Sequence, residues 1–427
     1  MQDNNKKIFF LFGIEGILFQ FVNSVGAYGN AIYATNLGAT DIQIGLIQTI
    51  PNLVALILLI PIGIAADRMR SEKTVPALIL FLMGIAYTGL GFVPGLGEQR
   101  MIYYFLFLGM GIGLMAGYNA QWQVLFGAVT ETRSRNKVYT FRNRCMFFIG
   151  TIIPLICGAM LSAQSGPEGK LTALRVFYFL AGAFLIVQAF IILALPCKNK
   201  TDDEMLKVGG FSIKSFGNAF KFIFTDKRFR SFFLLIMFFY ITWHLDWSMW
   251  YIEEINYMGL NELHLAILSG LICVFQLFFM GYFAKRDSKV GPYRTMLYAE
   301  AALFICPLAV VICTFIPMSV RPYSFMAMAL VGNVPQCCIG LCVVEMLLEV
   351  LPDKNRALVT SIYTMFITLS NCLMPLLGVR IYNFFGANLD TVRVYNVAGF
   401  LLRGAAFVAI AIAGAKRAKQ TSKPLNI

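Results

Sequence analysis

Charged residues are scarce in this sequence. Only 13% of its 427 residues are Asp, Glu, Lys or Arg, while 58% are hydrophobic. A soluble protein of this length could not bury so much apolar surface, so the composition predicts a membrane protein with many spans. The apolar runs reach about 20 residues without alternating polar positions, which excludes a transmembrane β-barrel.

Residues that carry enzyme chemistry are also few. The chain has two histidines, His244 and His264, and it shows no nucleophile–base arrangement and no nucleotide-binding motif. Its ten cysteines lack metal-ligand spacing and are interpreted as small packing residues. We therefore expect no enzyme activity, no cofactor and no metal site. The first apolar run is too long for a cleavable signal peptide, and no small-residue cleavage site follows it.

Basic residues outnumber acidic residues, 35 to 22, which gives a formal net charge of +13. They gather in short loops, so they indicate membrane orientation and do not predict nucleic-acid binding. The basic segments on one side of the membrane are residues 6–7, 68–73, 133–137, 285–289, 354–356 and 416–423. The positive-inside rule then predicts a multi-pass protein of the cell membrane with both termini in the cytoplasm.

Hydropathy predicts twelve spans and therefore an all-α membrane protein. The expected spans are 8–33, 42–65, 74–94, 101–127, 139–163, 173–195, 230–256, 263–284, 293–315, 322–349, 357–380 and 391–414. We predict an N-terminal six-helix bundle (1–195), a cytoplasmic linker (196–229) and a C-terminal six-helix bundle (230–427). In the linker, Ile213, Phe216, Phe220 and Ile223 have helical spacing. They predict an amphipathic helix on the membrane surface that ties the two halves together or, alternatively, binds a partner.

The two halves of the chain repeat each other. The pattern Gly-x-x-Ala-x-Arg occurs at 63–68 and again at 281–286, and Pro-Leu occurs at 154–155 and again at 375–376. Because each repeat has an even number of spans, the two repeats have the same orientation. This is the plan of transporters built from parallel repeats, which bind substrate near the middle of the membrane between the repeats.

The loop after the second span contains Gly63, Asp67, Arg68, Arg70 and Lys73. Glycine lets the helix approach a neighbour closely, and Asp67 lies where its carboxylate can accept hydrogen bonds from the N-terminus of another helix. This loop resembles that of the major facilitator superfamily, which reads roughly G-x-x-x-D-R/K-x-G-R/K-R/K. Arg70 occupies the place of the second glycine. The resemblance implies that Asp67 latches the loop to the second half of the protein in an outward-facing state. Alternatively, the loop is an anchor that only fixes topology.

Polar residues inside apolar spans are candidates for a transport pathway. The residues expected to line a substrate cavity are Asn23, Asn119, Trp122, Gln123, Trp243, Trp247, Asn333 and Gln336, and those expected to couple transport to protons are Glu15, His244 and Asp246. They lie on spans 1, 4, 7 and 10, which line the central cavity in the family that the chain resembles. For each residue, a hydrogen bond between helices is the alternative.

Three further expectations concern buried charges and a tryptophan. Arg142 and Arg144 are interpreted as side chains that extend to the membrane surface. Arg403 needs a partner at its depth, and Glu300 is the predicted one. Trp250 is interpreted as a residue of the aromatic belt at the outer membrane surface.

These features together predict a secondary active transporter that moves a small organic solute by alternating access and is coupled to protons. We expect its partners to be the substrate, protons and the lipid bilayer, and we expect a monomer. The alternative is a membrane sensor or assembly factor that has this fold but transports nothing. An appended soluble domain would favour that alternative, and the sequence has none.

Overall fold

The computed structural model describes residues 2–39, 41–201, 213–260 and 262–421. Within these ranges the regular secondary structure is helical, and twelve helical segments are long and apolar enough to cross a membrane. Each overlaps one of the spans expected from hydropathy, so the prediction of an all-α protein with twelve spans is confirmed.

The first half and the linker contain α1 (Gln2–Asn36), α2 (Asp41–Arg68), α3 (Thr74–Phe92), α4 (Arg100–Val129), α5 (Thr132–Ser162), α6 (Gly166–Leu193) and α7 (Ile213–Thr225). The second half contains α8 (Lys227–His244), α9 (Trp247–Asn256), α10 (Glu262–Val290), α11 (Pro292–Cys313), α12 (Arg321–Asn333), α13 (Ile339–Val350), α14 (Arg356–Phe384) and α15 (Leu389–Thr421). Short 3-10 helices occupy Val93–Gly95, Gly97–Gln99 and Val334–Cys338.

The chain forms two compact units. The first comprises Met1–Asp226 and Leu351–Leu369, and the second comprises Lys227–Val350 and Ser370–Ile427. Helix α14 therefore contributes its first half to one unit and its second half to the other. The division into two bundles and a linker predicted from the sequence stays a prediction.

In the first unit, α1 packs against α5 and α6, while α3 packs against α4 and α6. Buried tyrosine hydroxyls join these helices. Tyr104 donates to the carbonyl oxygen of Asn30 at 2.9 Å, Tyr178 donates to the side-chain oxygen of Asn30 at 2.7 Å, and Tyr33 donates to the carbonyl oxygen of Leu90 at 2.7 Å. Helices in lipid gain no hydrophobic free energy by associating, so close packing and such hydrogen bonds hold them together.

In the second unit, α11 and α15 pack against each other along most of their length. Tyr293, near the start of α11, lies against Gly414, and Pro307, near its end, lies against Gly399. The residue numbers rise along one helix and fall along the other, so the two helices are antiparallel. Residues near 300 in α11 therefore lie at about the same depth as residues near 407 in α15.

Two spans of the second unit are interrupted. The seventh span, expected as one helix, breaks at Leu245 and Asp246 between α8 and α9. The tenth span changes to a 3-10 helix between α12 and α13, around Pro335. Proline removes a backbone donor and cannot continue regular α-helical hydrogen bonding, so the sequence predicts the second interruption. No proline or glycine marks the first.

The amphipathic segment of the linker forms α7. Ile223 and Ala219 are fully or almost fully buried, while Phe220 and Phe224 are more than a third exposed. The ring of Phe220 lies 6.1 Å from that of Phe366 in the first unit. The predicted helix is thus present with one apolar face packed. The side chain of Ile213 and residues 202–212 of the linker lie outside the described residues.

Candidate functional site

A cavity of about 280 Å³ lies within the second unit. It is lined by Trp243, Asp246, Trp247, Trp250, Leu303, Cys306, Asn333, Gln336 and Arg403. Five of these residues are among those that the sequence predicts for the substrate cavity or for proton coupling. The structure therefore brings together the predicted residues of spans 7 and 10, with additional contributions from α11 and α15.

Arg403 of α15 occupies the break in the seventh span. Its guanidinium forms an ion pair with the carboxylate of Asp246. It also donates to the carbonyl oxygens of Leu303 at 2.8 Å, Thr242 at 3.4 Å and Trp243 at 3.5 Å. The last carbonyls of a helix have no partner inside the helix, so a cation at the end of α8 both satisfies them and interacts favourably with the helix dipole.

The prediction that Arg403 pairs with Glu300 is wrong. Arg403 pairs with Asp246, and the Glu300 side chain is 1% exposed, with its Oε1 lacking a hydrogen-bond partner among the described residues. The sequence indicates the depth of a residue along a span but not the direction in which its side chain points. The break at Asp246 turns that carboxylate toward α15.

The carbonyl oxygen of Leu245, which the break leaves without a helical partner, accepts a hydrogen bond from the hydroxyl of Tyr395 at 2.9 Å. Helix α14 approaches the same carbonyl so closely that a side chain at Gly378 would collide with it. Two helices therefore support the irregular backbone next to Asp246. Irregular backbone is tolerated at membrane depth where protein or a cavity covers it.

The interruption in the tenth span is stabilised by amide side chains. Asn333 donates to the carbonyl oxygen of Ala329 at 2.8 Å, and Gln336 donates to the side-chain oxygen of Asn333 at 3.1 Å. From α10, Gln276 donates to the carbonyl oxygen of Asn333 at 2.9 Å. Asn333 and Gln336 thus hold the backbone around Pro335 and at the same time line the cavity.

Aromatic rings form the wall of the cavity on the seventh span. The rings of Trp243 and Trp247 meet edge to face, with their centroids 5.7 Å apart. Trp250 lines the same cavity and lies 5.2 Å from the ring of Phe325, so its interpretation as a belt residue is wrong. Trp250 follows Trp243 by seven residues and Trp247 by three, so it continues the face that lines the cavity, whereas the belt interpretation rests on depth along the span alone.

His244 lies beside this wall. It is almost fully buried, its ring centroid lies 4.6 Å from that of Trp247, and its Nδ1 is 3.1 Å from the hydroxyl of Ser370. His244 and Asp246 point to different partners, as their spacing predicts. His244 has a hydrogen-bond partner of its own and does not take part in the Asp246–Arg403 pair.

One turn beyond the wall, sequence analysis missed a second buried carboxyl group. Glu253 in α9 is fully buried, and its Oε1 accepts a hydrogen bond of 2.6 Å from the amide of Asn396. Its Oε2 has no partner among the described residues. The signal was available, because Glu253 follows Asp246 by seven residues and Asn396 precedes Arg403 by seven. Positions seven apart lie on one face of a helix.

A second cavity of about 480 Å³ also reaches the ion pair. Its walls come mainly from α15 and the end of α14, together with Thr242 and Leu245 of the seventh span. Asp246 and Arg403 line both cavities. The pair therefore stands between a space with aromatic and amide walls and a space with mostly apolar walls.

In the first unit, Glu15 belongs to a buried cluster rather than to either cavity described above. Arg142 donates from Nε to Oε2 of Glu15 at 2.5 Å and from Nη2 to Oε1 at 3.0 Å. Tyr118 and Gln188 donate to Oε1 at 2.7 and 3.0 Å. The guanidinium of Arg142 also lies 4.2 Å from the ring of Trp122. The interpretation of Arg142 as a side chain that extends to the membrane surface is wrong.

Removing the hydroxyl of Tyr118 measures how much this buried cluster contributes to the free energy of unfolding. The change Tyr118→Phe removes one donor to a buried carboxylate without creating a cavity, and we expect it to lower the free energy of unfolding by about 1–3 kcal/mol. The control Tyr282→Phe alters an exposed tyrosine and should have an effect of less than about 0.5 kcal/mol. Thermal unfolding in detergent measures both. Equal, small effects would contradict the buried hydrogen bond.

The other cavity candidates of the first unit have mixed surroundings. Trp122 is buried and stacks on Phe126 at 4.9 Å, Asn23 is half-buried and Asn119 is exposed. The indole nitrogen of Trp122 and the Oε1 of Gln123 have no hydrogen-bond partner among the described residues. The role of these four side chains in substrate binding stays a prediction.

The loop after α2 makes the contacts that its residue types predict. The Asp67 carboxylate accepts hydrogen bonds from the backbone nitrogens of Ala357 at 3.0 Å and Leu358 at 2.8 Å, in the first turn of α14. A side chain built on Gly63 would come within 2.6 Å of the hydroxyl of Ser361, so α2 and α14 touch there. From α4, Gln121 donates to the same hydroxyl at 2.9 Å.

Two lysines, Lys73 and Lys200, also stabilise the loop after α2. Lys73 donates to the carbonyl oxygen of Leu193 at the end of α6, at 2.7 Å. Lys200 of the linker donates to the carbonyl oxygen of Asp67 at 3.1 Å and forms an ion pair with Glu72 at 3.2 Å. Cations at helix C-termini are favourable, so the two lysines fix the position of the loop that carries Asp67. The remaining predicted motif residues, Arg68 and Arg70, have exposed side chains.

Comparisons with known proteins agree with this fold. A bacterial homologue of the iron transporter ferroportin in an outward-facing state is similar, with a TM-score of 0.73, 13% identity, and coverage of 95% of this chain and 99% of that one. The proton:xylose symporter XylE has a TM-score of 0.71 and 13% identity, over 94% of this chain and 95% of that one. The E. coli fucose:proton symporter FucP has a TM-score of 0.68 and 13% identity, over 95% and 98%. At these identities the similarity shows the fold alone.

The search of curated proteins finds no match. The sequence model of the Major Facilitator Superfamily matches residues 9–375, which is most of the chain. The members of this family are membrane-embedded transporters of small molecules, so the expectation of a transporter rather than an enzyme is confirmed. The chain belongs to the major facilitator superfamily.

Proposed function

We propose that this protein is a secondary active transporter that moves a small organic solute by alternating access and uses protons as the driving ion. The observation that carries the proposal is the cavity of the second unit, where tryptophan rings, amide side chains and the Asp246–Arg403 pair meet. Apolar walls with a few convergent polar groups are typical of a small-molecule site. Intramembrane ion pairs typically lie on substrate or proton pathways.

Asp246 is the favoured proton-coupling residue. Its carboxylate lines the cavity, so a proton that enters the cavity can reach it. A buried carboxylate and guanidinium stabilise each other, and protonation of Asp246 would remove the charge that holds Arg403. Arg403 also donates to the carbonyl oxygens of Thr242 and Trp243 near the end of α8 and to that of Leu303 in α11. Its release would therefore change the backbone next to the cavity wall and link proton binding to a change of conformation.

Glu15 and His244 are weaker candidates. Glu15 already accepts hydrogen bonds from Arg142, Tyr118 and Gln188, and such a fully bonded carboxylate is typical of a structural cluster. His244 is buried against Trp247 and is hydrogen-bonded to Ser370. Neither residue lines the two cavities described above, whereas Asp246 lines both.

The Asp67 contact is proposed to belong to one of the two alternating states. Its carboxylate holds the first turn of α14, where backbone nitrogens have no partner within the helix. Breaking this contact would leave both the carboxylate and those nitrogens to be solvated. We propose that the Asp67 contact forms on the cytoplasmic side of the membrane. The loop that carries Asp67 is one of the basic loops, and the positive-inside rule places these loops and both termini in the cytoplasm. The proposed location is the cell membrane, and the proposed functional form is a monomer.

Two steps test the proposal. Purified protein is first screened for solutes that raise its melting temperature, since a ligand at 100 times its Kd stabilises the folded state by about 2.7 kcal/mol. The screen begins with sugars, because the structurally similar proteins include symporters of xylose and fucose. A stabilising solute is then tested for uptake into proteoliposomes. Uptake above its external concentration, driven by an inward proton gradient, supports the proposal. A solute that binds but never crosses the membrane would support a sensor instead.

A further inference from the structure

Three buried carboxyl groups in the second unit face one cation. Glu300, Asp246 and Glu253 are at most 8% exposed, and Arg403 is the cation that faces them among the described residues. An ionised carboxylate without a cation is costly in such surroundings, and protonation relieves the cost. One guanidinium can neutralise one carboxylate, and here it is paired with Asp246. The arrangement therefore leaves Glu253 and Glu300 without a neutralising charge.

The three groups follow one another along the helix axes of the second unit. Glu253 lies seven residues beyond Asp246 in the seventh span and bonds Asn396, which is seven residues from Arg403 in α15. Glu300 lies in the opposite direction, because its place in the antiparallel α11–α15 pair is level with residues near 407. A rise of about 1.5 Å per residue puts Glu253 about 10 Å from the level of Asp246.

Each flanking carboxyl group has at least one buried oxygen without a hydrogen-bond partner among the described residues. These atoms are Oε2 of Glu253 and Oε1 of Glu300, and both are buried and unbonded among the described residues. The groups facing Glu253 are Asp246, Glu254, Tyr382, Tyr395 and Arg403, and the charged group facing Glu300 is Arg403. Buried polar atoms are nearly always bonded, so an unbonded carboxyl oxygen next to a charged pair calls for an explanation.

We propose that Glu253 and Glu300 are proton-binding sites and form, with Asp246 and Arg403, a proton relay along spans 7, 9 and 12. In the conformation described, both glutamates hold a proton and Asp246 is ionised. The inference rests on the proposed proton-driven transport and extends it to two residues that do not line the cavity of the second unit.

In the relay, the guanidinium of Arg403 exchanges one carboxylate partner, Asp246, for another, Glu300. A proton from the cavity binds the carboxylate of Asp246, which then no longer holds Arg403. Arg403 moves to Glu300, and Glu300 releases its proton to a water molecule that enters the space left by the guanidinium, as its carboxylate pairs with Arg403. One proton enters at Asp246 and one leaves at Glu300, so the charge of the three groups does not change. Glu253 is a second proton donor to Asp246: it passes its proton to that carboxylate in place of one from the cavity and takes a new proton from water.

Infrared absorption tests this proposal without a substrate, because a protonated carboxyl group has a carbonyl stretch that an ionised carboxylate lacks. At neutral pH the wild-type protein should show carbonyl bands that shift in D₂O. Glu300→Gln and Glu253→Gln should each remove one component, while the control Glu15→Gln should remove none, because Glu15 has a guanidinium partner of its own in Arg142. Absence of the bands in wild-type protein would overturn the proposal, even if the variants fail to fold.

The change Asp246→Asn distinguishes a relay from the alternative in which Glu253 and Glu300 are protonated independently of Asp246. It removes a carboxylate that is itself ionised, yet it frees Arg403 to pair with Glu300. The Glu300 component should therefore disappear in Asp246→Asn although Glu300 is unchanged. If that component persists, the exchange of Arg403 is wrong. Because these spectra require no transport, bands that behave as expected in a protein without proton-driven uptake would sustain the proton sites and reject only the proposed function.

Discussion

The change Arg403→Gln is expected to lower the free energy of unfolding by about 3–5 kcal/mol, because it leaves the Asp246 carboxylate buried without its cation. It also removes the donor to the carbonyl oxygens of Thr242 and Trp243 next to the helix break and of Leu303 in α11. Glutamine can replace at most part of these hydrogen bonds. Thermal unfolding of the purified protein in detergent measures the loss.

Two companion variants sharpen this experiment. The double change Asp246→Asn and Arg403→Gln removes both charges and should be milder than Arg403→Gln alone, since neutral partners leave no uncompensated ion. Arg393→Gln serves as the matched control, because the pair of Arg393 with the exposed Asp390 contributes about 0–1 kcal/mol and glutamine can keep the hydrogen bond to the Thr314 hydroxyl. If Arg403→Gln resembles Arg393→Gln, or if the double variant is the least stable of the three, the buried pair is not structural.

The change Asp67→Asn is expected to reduce transport about tenfold to hundredfold while the amount of folded protein in the membrane stays nearly the same. The Asp67 carboxylate accepts from Ala357 and Leu358 with one oxygen each, and an asparagine can accept with only one atom. Loss of one hydrogen bond to a charged group weakens the contact by about 1.5–3 kcal/mol. An equilibrium between states that keep and lose the contact shifts by the corresponding factor.

Transport rates in proteoliposomes, normalised to the reconstituted protein, measure this effect. Glu72→Gln is the control from the same loop, because it removes the ion pair with Lys200 but leaves the Asp67 contact intact. We expect it to change transport by less than threefold, since Lys200 keeps its hydrogen bond to the carbonyl oxygen of Asp67. A matching loss of transport and of inserted protein in Asp67→Asn would favour the loop as a topological anchor instead.

The fold could be predicted from the sequence because two local features largely determine it: the length of each apolar segment and the charge of the loops between these segments. The twelve spans and the amphipathic helix follow from hydropathy and spacing, and the family follows from the loop around Asp67. Pro335 also indicated the irregular backbone in the tenth span. Each of these features depends on residues that are close together in the chain, so the sequence alone is enough to predict it.

The partners within the site depend on rotation about each helix axis, which the sequence does not contain. Depth alone suggested Glu300 for Arg403, whereas the break at Leu245 turns Asp246 toward α15. Depth alone also suggested the membrane surface for Arg142, which instead pairs with Glu15. By contrast, Trp243 and Trp247 line the cavity of the second unit together, because they are one turn apart and share a face. Their role in substrate binding stays a prediction.

The measurement that tests the account most directly compares accumulation with exchange in proteoliposomes that contain Asp246→Asn. The solute is the one that stabilises the wild-type protein. Accumulation driven by a proton gradient requires net proton release, whereas exchange of labelled for unlabelled solute does not. We predict that Asp246→Asn abolishes accumulation and retains exchange. If the variant still accumulates the solute with an unchanged dependence on the pH gradient, Asp246 does not couple transport to protons and the account is contradicted.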